Sequence, residues 1–169
     1  STNQEFSQKI DAFIDNFHRF LGSSLALNRI LKQTKAIDAT LAEQLDAIEF
    51  AVAASKLEHL SEEEVDIYNN ELDIIAMLRE SFLTVGKMLG DIHSRITPET
   101  EKGLLIEAEK ELDILQLHLE NVGISTSEVK AHKIAIKRTL SQYHATLRKI
   151  RANLDQRWGV MEALVQAQA

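Results

Sequence analysis

The chain has 169 residues, of which 44% are apolar and 27% charged, and its formal net charge is −7. This composition is ordinary for a globular protein and excludes a chain that is disordered throughout. The absence of cysteine excludes a disulfide framework, a thiol nucleophile and a thiolate metal site. With only six glycines and one proline, turns must be few and helices long. We therefore expect one all-α domain over residues 1–169.

The first sixty residues keep a single helical spacing of apolar positions, in steps of three and four. This continuity favours one helix, but Gly22 and the following two serines, and the stretch from Thr34 to Thr40, are places where a helix could break. We predict a break or kink near residues 33–40, because a compact bundle needs antiparallel neighbours of comparable length. The expected helices cover 3–33 and 36–59. One continuous helix is the alternative, and it predicts an arm that a second chain could complete.

Four of the six phenylalanines, Phe6, Phe13, Phe17 and Phe20, lie on the apolar side of this first segment. A row of this size is costly to leave in water, since each fully buried Phe contributes roughly 1.5–3 kcal/mol. We expect the chain's own helices to cover it. If the row is exposed in a monomer, these four residues are the first candidates for binding a partner.

Three polar residues, Ser24, Thr34 and Asp38, interrupt the same apolar seam. Polar residues at such positions usually relieve a turn or fix the register of a bundle at some cost in stability. The functional alternative is that they line a small-molecule pocket inside the bundle.

The rest of the chain contains clear helix starts. Ser61 and Glu64 form a capping box, Thr97 precedes Pro98 at a first helical position, and Ser125 with Glu128 forms a second capping box after Gly123. We expect Gly123 to close the preceding helix in the left-handed conformation. The predicted helices cover 62–96, 98–121 and 126–165, so the fold class is an elongated antiparallel all-α bundle of four to five long helices, coiled-coil-like in its spacing.

Charge is distributed unevenly along the chain. Residues 61–122 hold five basic and fifteen acidic side chains, whereas residues 123–169 hold eight and three. The basic last helix could attract nucleic acid or an anionic membrane. We favour the simpler interpretation that its charges face those of acidic neighbouring helices. Nucleic acid is then not an expected partner, and a membrane is expected only if the chain is a receptor domain flanked by membrane spans.

The sequence contains no recognisable catalytic or cofactor pattern. None of the six histidines has a glutamate three residues before it, as bundle-type di-iron sites require, and Gly-rich phosphate loops are absent. Glu128 and His132 form the nearest approach to a ligand pair, but Glu128 is better explained by capping. We expect no enzyme, no cofactor and no metal site.

The favoured function is therefore protein–protein interaction by a bundle that contacts another protein or a second copy of itself, as adaptors, chaperones and immunity proteins do. The alternative is a ligand-sensing extracytoplasmic four-helix-bundle domain of a bacterial receptor, a layout with a long first helix, a long last helix and shorter helices between them. The expected compartment is the cytoplasm, and the periplasm in the alternative.

Overall fold

The computed structural model describes residues 2–55, 61–92 and 98–168. Within these ranges the protein is an all-α helical bundle without strands, as the sequence predicts. Its four helices are α1 (Thr2–Ala54), α2 (Glu62–Ile92), α3 (Pro98–Asn121) and α4 (Ser127–Gln168). None of these described helices combines the length and apolar character that crossing a bilayer requires.

The predicted break in the first segment is wrong, because α1 is helical without interruption from Thr2 to Ala54. Thr40, which could have begun a second helix, instead donates its hydroxyl proton to the carbonyl oxygen of Ala36, one turn earlier, at 3.1 Å. A hydroxyl satisfied in this way leaves the backbone helical. Glycine lowers helix stability by only about 1 kcal/mol, which the tertiary contacts of α1 outweigh at Gly22.

The helix starts follow local capping chemistry. Ser61 Oγ accepts the amide proton of Glu64 at 3.3 Å, and Glu64 accepts that of Ser61 at 3.4 Å, which confirms the predicted capping box. Helix α3 begins at Pro98, as predicted, while Thr97 lies outside the described residues. The predicted ends at residues 59 and 96 also lie outside them.

The connection between α3 and α4 differs from the prediction in two respects. Thr126, not Ser125, caps α4, since its hydroxyl oxygen accepts the amide proton of Val129 at 3.2 Å. Gly123 does not adopt a positive φ. Glycine instead allows the carboxylate of Glu71, a buried residue of α2, to approach the backbone, since a Cβ atom at position 123 would lie 2.8 Å from its Oε1. The predicted left-handed closure at Gly123 is therefore wrong.

The chain divides into two compact units. Unit 2 comprises residues 34–145 and is a four-helix bundle made of the second part of α1, all of α2 and α3, and the first part of α4. Its α3 and α4 are antiparallel, since Glu120 faces Lys137 at 3.6 Å while Asp113 faces His144 at 3.4 Å. Its core is lined by large aliphatic side chains from all four helices, including Leu41, Leu45, Ile48, Ile75, Leu78, Leu105, Leu112, Leu115 and Ile136.

Unit 1 comprises residues 1–33 and 146–169 and contains only two helical segments, the first part of α1 and the last part of α4. The two segments run antiparallel, because Ser23 contacts Asn153 while Phe20 contacts Arg157. Its buried apolar side chains lie between these segments at Leu27, Leu31, Leu147, Ile150, Leu154 and Val160. The single domain stays a prediction, since two units that share two continuous helices can fold together.

Candidate functional site

Three of the four phenylalanines in the row on α1 are not covered by the chain's own helices, contrary to the sequence-based expectation. Phe6, Phe13 and Phe17 are 66%, 39% and 45% exposed. The rings of Phe13 and Phe17 stack with their centroids 6.4 Å apart and their planes within 8° of parallel. The expectation failed because unit 1 supplies only one further helix, α4, and α4 lies against a different side of α1.

The exposed apolar surface is larger than the aromatic row. It consists of seven residues that are each 39–66% exposed and that we call the Phe face: Phe6, Ile10, Phe13, Ile14, Phe17, Leu21 and Leu25. At 3.6 residues per turn, these side chains fall within an arc of about 120°. No charged residue falls within that arc between Phe6 and Leu25. The Phe face is therefore one continuous uncharged strip along α1.

Phe20 differs from the other three phenylalanines. It lies outside the edge of the Phe face and is only half-buried, and the guanidinium carbon of Arg157 lies 5.4 Å from the centre of its ring. This distance is that of a cation–π contact, which holds α4 beside α1. The predicted partner-binding set thus divides into three residues on the Phe face and one residue that joins the two helices of unit 1.

The helices of unit 1 are also joined by a pair of polar residues that sequence reasoning missed. Asn153 Nδ2 donates to the carbonyl oxygen of Ser23 at 2.9 Å, and Ser23 Oγ donates to the carbonyl oxygen of Asn153 at 3.4 Å. Both residues are buried. The one signal available was the small Ser23 beside Gly22, which permits a close approach of another helix. Its partner lies 130 positions further along the chain.

The three residues of the predicted polar seam are divided between the two units. Ser24 belongs to unit 1 and is half-buried, whereas Thr34 and Asp38 belong to unit 2 and are buried and half-buried. A small-molecule pocket lined by these residues stays a prediction.

Asp38 has a structural partner inside unit 2. Its Oδ1 accepts the hydroxyl proton of Tyr143, a buried residue of α4, at 2.6 Å. Burial raises the pKa of Asp38, and the hydrogen bond from Tyr143 lowers it in part. Burial also raises the pKa of Tyr143, and the hydrogen bond to Asp38 adds to that rise. The pair explains the polar position as a specific contact between α1 and α4.

Charge separates the two units. Unit 1 holds eight of the nineteen basic and five of the twenty-six acidic side chains, which gives a formal charge of +3. Unit 2 holds the other eleven basic and twenty-one acidic side chains, which gives −10. In unit 2, Lys137 pairs with Glu120 at 3.6 Å, and Lys133 Nζ donates to the carbonyl oxygen of Val122 at 2.6 Å. For Lys137 this agrees with the predicted placement of basic residues of the last helix against acidic neighbours.

No group of three or more His, Asp or Glu side chains that could hold a metal ion occurs among the residues that the structure describes. Glu128 and His132 are exposed and half-buried on α4, and neither has a third ligand of this kind beside it. No protein-family model, curated protein or solved structure matches the chain.

Proposed function

We propose that this protein acts by binding another protein chain through the Phe face of unit 1. The observation that carries this proposal is the continuous exposure of seven large apolar side chains along one side of α1. A soluble monomer rarely leaves an apolar strip of this kind in water unless it serves as a contact surface. The role is that of a non-enzymatic interaction protein, of the adaptor, chaperone or immunity type.

The size of the Phe face supports this role. The exposed fractions of Phe6, Phe13 and Phe17 add up to the surface of about one and a half fully exposed phenylalanines. At about 200 Å² for an aromatic side chain and about 100 Å² for an aliphatic one, the seven residues expose about 500 Å² of apolar surface. This area is at the upper end of the range for the largest patch of a typical monomer, about 300–600 Å², and such patches are often functional.

The chemistry of the Phe face also supports a protein partner. Interface centres are depleted in charge and enriched in aromatic residues, and the stacked rings of Phe13 and Phe17 lie near the middle of the uncharged strip. Large aromatic side chains at such positions commonly dominate the binding energy.

A capture experiment with two variants tests this proposal. Phe13→Gln with Phe17→Gln removes the centre of the Phe face while keeping a good helix former at both positions. Phe50→Gln is the matched control, because Phe50 lies on the same helix, in unit 2, and is 75% exposed. Tagged wild type and the control should retain a common set of chains, including untagged copies of the protein, that the Phe face variant loses. Equal recovery by all three proteins would contradict the proposal.

The receptor-domain alternative stays a prediction. Asp38, the most polar of its candidate ligand-binding residues, is engaged with Tyr143.

A further inference from the structure

We propose that the Phe face is covered by the Phe face of a second copy of this chain, so that unit 1 of two copies forms a four-helix bundle. This inference rests on the proposed function and identifies the partner.

The number of helices in unit 1 is the first argument. A helix in a four-helix bundle contacts two neighbours and needs an apolar surface wide enough for both. On α1, Ser23 and Phe20 face α4 on one side, and the Phe face lies directly beside them with no neighbour. A second copy supplies two further helices of the same chemistry, which completes the arrangement for both copies. A two-fold pair uses the same surface twice, as most homodimers do.

The exposed surface of unit 1 also includes α4. The antiparallel register given by Ser23 with Asn153 and Phe20 with Arg157 places Val165 at the level of residues 11–12 of α1. Val165 is 64% exposed. The neighbouring helix therefore also exposes a large apolar side chain at the level of the Phe face.

The area of the Phe face is the second argument. Two copies that bury about 500 Å² each remove about 1,000 Å² from water, before flanking residues are included. This reaches the size that a specific interface needs, about 1,000 Å², and exceeds most adventitious contacts, which bury less than about 800 Å².

Charge favours a second copy over a lipid surface. Over residues 5–25, the length of the Phe face, the polar side of α1 is mixed, with Lys9 and Arg19 against Glu5, Asp11 and Asp15. Helices that lie on anionic membranes instead carry a polar face rich in Lys and Arg. Because the Phe face itself is uncharged between Phe6 and Leu25, two copies can pair without opposing like charges at the centre.

The oligomeric state of the purified protein tests the proposal directly. Sedimentation equilibrium should give a mass twice the 19.1 kDa of one chain. Phe13→Gln with Phe17→Gln should weaken self-association about 10⁶-fold, because about 170 Å² of aromatic surface no longer becomes buried in each copy, which is about 340 Å² in the dimer. Phe50→Gln should leave the association unchanged. Far-UV circular dichroism shows whether each variant keeps its helices.

Cross-linking provides a second measurement that does not require a variant with weakened self-association. The chain has no cysteine, so a single introduced thiol can link only to another copy. Ile14→Cys lies near the middle of the Phe face and should cross-link between copies with a short bis-maleimide in either relative orientation. Ala12→Cys, exposed on the opposite side of α1, is the matched control and should not.

The outcomes separate the two proposals. A strict monomer would overturn the second copy as the partner, and loss of a different captured protein from the Phe face variant would then leave the proposed function intact. A dimer that persists in the Phe face variant, or a thiol that cross-links equally at positions 12 and 14, would place the interface elsewhere and overturn the inference. Co-sedimentation of the monomer with anionic vesicles, lost in the Phe face variant, would overturn it in favour of a membrane.

Discussion

Glycine at position 123 should be favourable only while Glu71 is present. Both carboxylate oxygens of Glu71 accept the amide proton of Gly123, Oε1 at 2.8 Å and Oε2 at 3.0 Å. A Cβ atom at position 123 would also lie 2.8 Å from Oε1, which is closer than non-bonded atoms approach. Gly123→Ala must therefore displace the carboxylate of the buried Glu71 from the backbone amide of residue 123, which lies between α3 and α4.

The expected magnitude follows from two opposing effects. A hydrogen bond to a charged acceptor contributes about 1.5–3 kcal/mol. Replacing Gly by Ala at a compatible backbone position stabilises by about 0.4–1 kcal/mol through the unfolded chain, and Gly123 has no positive φ that would oppose it. Gly123→Ala in the wild type should thus lower the free energy of unfolding by about 1–2 kcal/mol. In the Glu71→Ala background the clash is absent, and the same substitution should raise it by about 0.4–1 kcal/mol.

Urea unfolding of the wild type, the two single variants and the double variant measures this change of sign. Gly86→Ala is the matched control, because a Cβ atom at position 86 of α2 meets nothing within 4 Å. It should stabilise the protein in both backgrounds by about 0.5–1 kcal/mol. If Gly123→Ala has the same effect with and without Glu71, the carboxylate is not the reason for glycine in this turn, and the argument is refuted.

Three further predictions concern the buried and charged contacts. Asn153→Ala should lower the free energy of unfolding by about 1 kcal/mol, because it removes the buried hydrogen bond that Asn153 Nδ2 donates to the carbonyl oxygen of Ser23; unchanged stability in urea unfolding would contradict this. The raised pKa of Asp38 means that the folded state binds its proton more tightly than the unfolded chain, so stability falls as the pH rises from about 4 through the folded pKa. Asp38→Asn should remove that fall. If the free energies of unfolding of this variant and the wild type instead differ by a constant amount between about pH 3 and 7, the prediction is wrong. Arg79→Ala should lower the free energy of unfolding by at most about 1 kcal/mol, and by less at high salt, since this half-exposed guanidinium pairs with two carboxylates of α1. A loss of stability in urea unfolding that does not vary with salt concentration would argue against an ionic origin.

Helix starts could be predicted where their chemistry is local. The capping box at Ser61 and Glu64 joins residues three positions apart, and Pro98 fixes a helix start by its own geometry. The cap of α4 could not be assigned in the same way, because Ser125 and Thr126 are both suitable. The position of the turn before them depends on the bond between Gly123 and Glu71, which are 52 residues apart in the sequence.

Polar residues on an apolar seam have the same ambiguity. Without knowledge of its partner, Asp38 is compatible with a helix break, a register contact or a ligand-binding residue. That partner, Tyr143, is 105 positions away in the sequence. Thr40, with Glu43 three positions later, shows the opposite case. Its sequence context fits a helix start, but its hydroxyl bonds within α1 itself. Spacing alone does not distinguish a capping hydroxyl from one that bonds to the preceding turn.

The apolar spacing of α1 is the same in its two parts, but its surroundings are not. In unit 2, Leu41, Leu45 and Ile48 occupy the seam and are fully buried by helices of the same chain. In unit 1, Phe6, Phe13 and Phe17 continue that spacing and remain exposed. Helical periodicity shows which side of a helix is apolar, but it carries no information about what covers that side. The Phe face has the chemistry of a bundle interior where the chain supplies only two helices, and for that reason we infer that its cover comes from a second chain.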